Sequence, residues 1–114
     1  LWCDVHVKHA QPLAGEDLID AARDTLERGL ADVLILSGRA TGSPPELRDL
    51  ARVRAACPTA RLYLGSGLHP GNAAELLAHA DGAIVGTSLK RGGHVDQPVD
   101  PERVRALLAS VARL

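Results

Sequence analysis

The chain has 114 residues, of which 46% are hydrophobic and 24% are charged, and its formal net charge is -1. This composition is typical of a single globular domain and excludes an intrinsically disordered segment. The balanced charge, with one Trp and one Tyr as the aromatic residues, argues against a nucleic-acid partner, which would require a basic face and stacking rings.

No apolar run approaches the roughly 20 residues that a membrane-spanning helix needs, and no signal-peptide pattern is present. We therefore expect no integral membrane segment, while peripheral membrane contact stays open. Cys3 and Cys57 lack metal-ligand spacing, so we expect reduced thiols in the cytoplasm and neither a metal nor a cofactor. A first residue other than Met, inside a predicted strand, leads us to expect a missing N-terminal half.

The first part of the chain predicts two strand–helix units. Residues 2–8 alternate between polar and apolar side chains, as a strand does, and residues 17–28 place apolar side chains on one helix face. Gly29 occupies the position where a left-handed residue commonly ends a helix. Residues 32–37 form a short apolar run that suits a buried parallel strand, and a helix over residues 45–56 follows.

The second part of the chain predicts two further units. Residues 61–65 form the third strand, and Asn72 is a favourable N-cap for a helix over residues 72–79. Residues 83–85 form the fourth strand. The last helix begins after Asp100, a second favourable N-cap, and runs to the C-terminus.

Four βα units in succession predict an α/β fold with a parallel sheet, either half of a barrel or a small open doubly wound sheet. Short, even strands and Gly-rich turns after the last two strands favour the C-terminal half of a TIM (βα)8 barrel, strands five to eight. Four units cannot close a barrel, and their open edges would be exposed. Either the full chain supplies the other half, which we favour, or two copies pair as a homo-oligomer.

Two glycine loops, residues 65–67 and 86–88, form the strongest candidate site. Glycines let backbone N–H groups approach an anion closely, and hydroxyl groups add hydrogen bonds. One such loop is also typical of a simple tight turn, but two loops at adjacent strand ends favour a site for a phosphorylated small molecule. The predicted phosphate-binding residues are Gly65, Ser66, Gly67, Gly86, Thr87, Ser88 and Lys90.

The first predicted strand carries three candidate catalytic residues. Asp4, His6 and Lys8 have the same parity, so they are expected to share the face that lines the barrel interior. His6 would act as an acid or base, and Lys8 as a base, a phosphate ligand or an amine nucleophile. The alternative is a buried salt-bridged cluster that only fills the interior.

Four further residues are weaker candidates for ligand contact. Ser37, Gly38 and Thr41 follow the second predicted strand, and a polar turn explains them equally well. His69 lies beside the first glycine loop and is expected to touch a ligand bound there.

Several ordered motifs, spread over essentially the whole chain, resemble the BtpA family. They are DVHVKHA at residues 4–10, DT to GLAD between residues 24 and 32, SGxATG at residues 37–42, GSG at residues 65–67 and DGAIVGTSLK at residues 81–90. The resemblance implies a TIM-like barrel of roughly twice this length. The family includes SgcQ-type proteins and carries the label of membrane complex biogenesis, from a role in photosystem I accumulation. That label describes a phenotype, not a reaction.

Three functions are compatible with these features. An enzyme, as a lyase, isomerase or transferase, would convert a phosphorylated sugar or nucleotide-like metabolite held by the glycine loops. A non-catalytic assembly factor for a membrane complex would display an apolar patch or a basic amphipathic helix, and the sequence shows neither. A phosphometabolite sensor would keep the phosphate site without the chemistry. The residues favour the enzyme, whereas the family label favours the assembly factor.

Overall fold

The structure is a computed structural model that describes residues 1–7, 13, 15 and 17–114 of the chain. Four strands and four α-helices alternate through this part. They are β1 (Trp2–Val5), α1 (Leu18–Glu27), β2 (Val33–Leu36), α2 (Leu47–Ala56), β3 (Arg61–Leu64), α3 (Ala73–Leu77), β4 (Gly82–Ala83) and α4 (Pro101–Val111). Two short 3-10 turns, Thr87–Leu89 and Arg91–Gly93, connect β4 to α4.

The strands form one parallel sheet in the order β1-β2-β3-β4. The predicted α/β class and the predicted parallel sheet are therefore confirmed. β1 is shorter than predicted, because His6 takes a backbone φ of 55°, which an extended strand does not allow. The predicted strand over residues 2–8 thus ends at Val5 in the described part of the chain, and Lys8 lies outside the described residues.

One face of the sheet packs against the helices. Alternate strand residues on this face, such as Val5, Leu34 and Leu62, are at most 3% exposed. They share a single core with helix residues, including Ala22, Leu50, Val53, Leu76 and Leu107. Burying each large aliphatic side chain contributes about 1.5–3 kcal/mol, so this layered core holds the sheet and its loops in place.

The opposite face of the sheet carries apolar side chains outside that core. Trp2 and Tyr63 meet edge to face with ring centroids 4.8 Å apart, across the β2 strand that lies between theirs. Val33 on β2 is 3% exposed beneath them, whereas Trp2 remains 55% exposed and Ile84 remains 46% exposed. Among the described residues, then, the helices cover one face and leave the second face largely open.

Of the two predicted N-cap residues, one makes the expected hydrogen bond and the other does not. The Asp100 carboxylate accepts a hydrogen bond from the Glu102 N–H at 3.0 Å, which confirms this cap. Asn72 stands at the N-cap position of α3 but makes no cap hydrogen bond. Its side chain instead accepts from the His69 N–H at 2.9 Å and donates to the Gly67 carbonyl at 3.0 Å. Asn72 therefore stabilises the loop after β3 instead of the helix.

The prediction of a left-handed Gly29 is wrong. Leu30 takes the positive φ, at 53°, while Gly29 does not. Glycine is required at position 29 for space, since a Cβ there would lie 2.6 Å from the carbonyl oxygen of Thr25. Because Gly29 has no Cβ, the chain can pass close to the last turn of α1 at this position.

Candidate functional site

At the amino ends of the strands, polar groups satisfy one another. The Arg54 guanidinium donates to Asp81 Oδ2 at 2.7 Å and to the carbonyl oxygens of His79 and Ala60 at 3.0 and 2.8 Å. The Leu62 N–H donates to the same carboxylate oxygen at 2.8 Å. These bonds, first from Leu62 and then from Arg54, lower the pKa of Asp81 below its ordinary value. This end of the sheet is built for stability.

At the carboxyl ends, the loop after β3 packs tightly on the loop after β2. Gly67 has a φ of 81°, and a Cβ on it would lie 2.1 Å from the backbone nitrogen of Pro44. The Ser66 hydroxyl donates to the Ser43 carbonyl oxygen at 2.8 Å. The glycine is therefore needed for both its conformation and its lack of a side chain.

The loop after β4 joins the same group. The Ser88 hydroxyl donates to the Leu68 carbonyl oxygen at 2.6 Å. A Cβ on Gly42 would lie 3.4 Å from the Thr87 hydroxyl oxygen, so Thr87 also reaches the loop after β2. The two glycine loops predicted from the sequence thus meet at one edge of the sheet, with the loop after β2 as their common neighbour.

Both glycine loops contain backbone N–H groups without a hydrogen-bond partner in the described part of the chain. These groups belong to Ser66, Gly67, Gly86, Thr87 and Ser88. The hydroxyl protons of Ser66 and Ser88 already bond to carbonyl oxygens, so the N–H groups are the donors left for an anion. Gly86 is exposed and the other four residues are half-buried, so an anion can reach these groups, and an anion is a natural partner for a cluster of them.

Lys90 and Arg103 are two cationic residues beside the second glycine loop. Lys90 is half-buried and its N–H donates to the Thr87 carbonyl oxygen at 3.1 Å. Arg103 of α4 donates to the Ser88 carbonyl oxygen at 3.1 Å. Arg103 was not selected from the sequence, because nothing in the helix pattern distinguishes it from Arg105, the other arginine of α4.

The predicted catalytic residues do not form one cluster among the described residues. Asp4 lies on β1 with an exposed side chain, on the open face of the sheet. His6 follows the strand in a left-handed conformation, so the two-residue alternation that placed it beside Asp4 ends at Val5. Its Nε2 atom is buried and has no hydrogen-bond partner in ranges 1–7 and 17–114 or at residues 13 and 15. Lys8 lies outside the described residues.

His6 lines a cavity of about 620 Å³ between the carboxyl ends of β1 and β2. We call it the His6 cavity. Its apolar wall includes Val5, Leu18 and Leu36, and its polar residues are His6, Ser37, Arg39, Glu46 and Asp49. Arg39, Glu46 and Asp49 were not selected from the sequence, because only the folding of the loop after β2 brings them beside β1.

The weaker ligand candidates are divided between these two regions. Ser37 and Gly38 line the His6 cavity, and a Cβ on Gly65 would lie 2.0 Å from the Ser37 hydroxyl oxygen. Ser37 therefore connects the cavity to the first glycine loop. Thr41 is exposed in the loop after β2. His69 is also exposed, and its Nδ1 atom accepts from the Gly71 N–H at 3.1 Å.

The described ranges 1–7 and 17–114, with residues 13 and 15, contain no group of three His, Cys, Asp or Glu side chains placed to hold a metal ion. None of their helices has the length and apolar character needed to cross a membrane.

Comparison with known proteins confirms the family resemblance seen in the sequence. A family model described as the BtpA family matches residues 1–113. The photosystem I biogenesis protein BtpA of Synechocystis is 48% identical over 112 residues, which is 98% of this chain and 39% of that protein. An uncharacterised protein of Thermococcus kodakarensis is 45% identical over 108 residues, which is 95% of this chain and 40% of that protein.

A more distant relative belongs to a different bacterium. The putative sgc region protein SgcQ of Escherichia coli is 28% identical over 99 residues, which is 87% of this chain and 37% of that protein. The chain therefore spans about two fifths of the length of these curated relatives.

Proposed function

The chain belongs to the BtpA family, and from that premise we propose that it binds and converts a phosphorylated sugar or nucleotide-like metabolite. The observation that carries this proposal is a set of N–H groups in the two glycine loops that have no partner in the part of the chain that the structure describes. They belong to Ser66, Gly67, Gly86, Thr87 and Ser88. Donors held in place before the ligand arrives cost little to reorganise when a charged group binds.

The proposed architecture is a TIM (βα)8 barrel in which β1 to β4 are strands five to eight. The open sheet face supports it, because the 55% exposed Trp2 and the 46% exposed Ile84 would be covered by the remaining strands and their side chains. In such barrels a phosphate commonly binds at the loops after strands seven and eight. These would be the glycine loops that follow β3 and β4.

In the proposed site, one set of residues binds the phosphoryl group and another set carries out the chemistry. The glycine loops hold the phosphoryl group through their N–H groups, and the Lys90 ammonium supplies a positive charge nearby. The proposal assigns acid–base or nucleophilic roles to Asp4, His6 and Lys8. His6 carries a buried ring nitrogen that has no partner among the described residues. Lyase, isomerase and transferase reactions all fit this arrangement.

A non-catalytic role in the biogenesis of a membrane complex is the second candidate. Two observations favour it: the name of the Synechocystis relative and the apolar face that carries Trp2 and Ile84. A protein of this kind would need the sheet face and would tolerate loss of the glycine-loop donors. The two proposals therefore predict different results for a change in those loops.

We expect Thr87→Asp to lower the affinity of the full-length protein for phosphorylated metabolites by about 100-fold or more. A carboxylate within about 4 Å of a phosphoryl group at an effective dielectric of about 20 costs several kcal/mol, and each 1.4 kcal/mol is about tenfold in affinity. Thr87 is preferred over Ser66 for this test because its hydroxyl makes no hydrogen bond to the described residues, so its loss removes no internal bond.

The measurement is a thermal shift with inorganic phosphate and a panel of sugar phosphates and nucleotides, since a ligand of the native state raises the melting temperature. Thr59→Asp is the charge-matched control, because Thr59 is exposed at the amino end of the sheet, between α2 and β3. A shift that survives Thr87→Asp, or a wild-type protein that responds to no phosphorylated compound, would contradict the proposed function.

A further inference from the structure

His6 combines two features that folding alone does not favour. Its backbone φ of 55° lies in the left-handed region, which non-glycine residues adopt uncommonly, although Asn, Asp and His do so more often than the others. Its Nε2 atom is buried and has no hydrogen-bond partner among the residues that the structure describes, although buried polar atoms are nearly always bonded. Strained backbone and unsatisfied polar atoms that persist in a folded protein are concentrated where a ligand binds.

The His6 cavity has the size and the mixed lining of a small-molecule site. Its volume of about 620 Å³ lies within the range of about 300–1,000 Å³ that is typical of such sites. Its floor is apolar, formed by core residues such as Val5 and Leu36, each at most 3% exposed. A few polar groups on an apolar wall orient a ligand through specific hydrogen bonds.

The charges in the cavity favour a neutral ligand group. Glu46 and Asp49 place two carboxylates at this cavity. Arg39 and Arg48 lie 3.5 and 3.6 Å from the Glu46 carboxylate, and Arg52 lies 3.5 Å from the Asp49 carboxylate. Because these opposite charges balance one another, neither a phosphoryl group nor a cation is favoured here. A hydroxyl group donates to carboxylates, accepts from guanidinium groups, and bonds to His6 Nε2 in either neutral tautomer.

The cavity and the first glycine loop share a wall. Pro44 lines the cavity, and its backbone nitrogen is the atom closest to the place where a Cβ of Gly67 would stand. Ser37 lines the cavity as well and lies against Gly65 on the other side. A ligand held by its phosphate at the glycine loops therefore has the His6 cavity as its neighbouring space.

We infer that the His6 cavity binds the hydroxyl-bearing, uncharged part of the ligand, with His6 Nε2 and the Glu46 carboxylate contacting its hydroxyl groups. This inference rests on the proposed function, which assigns the phosphoryl group to the glycine loops. It narrows the ligand class to sugar phosphates and related polyol phosphates, and it makes His6 a residue that touches the ligand.

The test is calorimetric titration of the full-length protein with inorganic phosphate, ribose 5-phosphate, fructose 6-phosphate and glucose 6-phosphate. We expect at least one sugar phosphate to bind about tenfold tighter than inorganic phosphate, or better. The quantity compared is the ratio of the affinity for that sugar phosphate to the affinity for inorganic phosphate. His6→Asn, which retains a residue tolerant of the left-handed conformation, is expected to bring this ratio to about one while the affinity for inorganic phosphate stays unchanged. Glu46→Gln is expected to lower the ratio as well.

A melting temperature and a control variant distinguish ligand contact by His6 from a structural role of this residue. Without ligand, His6→Asn is expected to melt at the same temperature as the wild type or higher, because it removes an unsatisfied buried nitrogen; a melting temperature lower by several degrees would show a structural role instead. Asp24→Asn is the control, because Asp24 lies on α1 and forms an exposed ion pair with Arg28. It should leave the ratio of the two affinities unchanged.

The outcomes separate this inference from the proposed function. A wild-type protein that fails to bind inorganic phosphate contradicts the phosphate site at the glycine loops. Phosphate binding without any preference for the sugar phosphates, or a preference that His6→Asn leaves intact, overturns the inference about the cavity alone.

Discussion

Replacing Gly67 by Ala is expected to lower the free energy of unfolding by about 2–5 kcal/mol, and to abolish phosphate binding by whatever protein remains folded. The expected loss combines the left-handed strain of a non-glycine residue, about 1–2 kcal/mol, with overpacking of about 1–3 kcal/mol. The φ of Gly67 is 81°, and a new Cβ would lie 2.1 Å from Pro44 N and 2.5 Å from the Ser43 carbonyl carbon.

These contacts are to backbone atoms, which cannot rotate away as a flexible side chain would. The loops after β2 and β3 must therefore separate, and the N–H groups of Ser66 and Gly67 move with them. Chemical denaturation measures the stability change, and titration with inorganic phosphate measures the loss of binding.

Gly86→Ala is the matched control for stability. Gly86 has a φ of -130° and no atom within 4 Å of the position of its Cβ, so alanine is accommodated there. We expect its effect on the free energy of unfolding to stay within about 0.5–1 kcal/mol. A Gly67→Ala protein as stable as Gly86→Ala would show that the two loops do not pack as described.

Arg54→Ala is expected to lower the free energy of unfolding by about 1–3 kcal/mol without changing phosphate affinity. The substitution leaves the His79 and Ala60 carbonyl oxygens and the Asp81 carboxylate without the guanidinium donor, and losing a partly buried bond to a charged group costs about this much. The change lies at the amino end of the sheet, away from the glycine loops. We therefore expect the free energy of unfolding to fall while the phosphate affinity stays the same.

Arg52→Ala serves as the control for the loss of an arginine on the same helix. The Arg52 side chain is 46% exposed and lies 3.4–3.5 Å from the carboxylates of Asp17 and Asp49. Exposed pairs of this kind contribute about 0–1 kcal/mol. Equal losses in Arg52→Ala and Arg54→Ala would contradict the special role of the Arg54 cluster.

The Asp81 carboxylate also gives this cluster a pH dependence. Because its pKa is lowered in the folded state by the Leu62 N–H and by Arg54, its contribution is fully present above the unfolded pKa of about 3.9. It is lost as the pH falls through the lower folded pKa. The stability difference between the wild type and Asp81→Asn should therefore shrink in acid, which denaturation curves between neutral pH and pH 3 would measure.

The periodic parts of the structure were predictable from the sequence. The apolar run at residues 32–37 contains β2, and Asp100 caps α4 as expected, because both depend on local patterns. The two glycine loops were placed together because parallel strands end at the same edge. Local sequence patterns were sufficient to predict β2 and the cap, and the topology of parallel sheets was sufficient to place the two loops together.

The parts that could not be predicted depend on contacts between distant residues. Asn72 has the chemistry of an N-cap, but the carbonyl of Gly67 and the N–H of His69 compete successfully for its side chain. The positive φ values of His6 and Leu30 have no counterpart in the alternation of polar and apolar residues. The His6 cavity arises only after Glu46 and Asp49 fold back beside β1.

The most direct test of the phosphate site follows the backbone amide signals of the full-length protein by nuclear magnetic resonance during titration with inorganic phosphate. Direct hydrogen bonding predicts that the largest saturable shifts occur at the amides of Ser66, Gly67, Gly86, Thr87 and Ser88, which have no partner among the described residues. If the shifts of those amides are no larger than shifts elsewhere, or if the largest shifts lie at the exposed arginines of α2 and α4, the glycine loops are not the phosphate site.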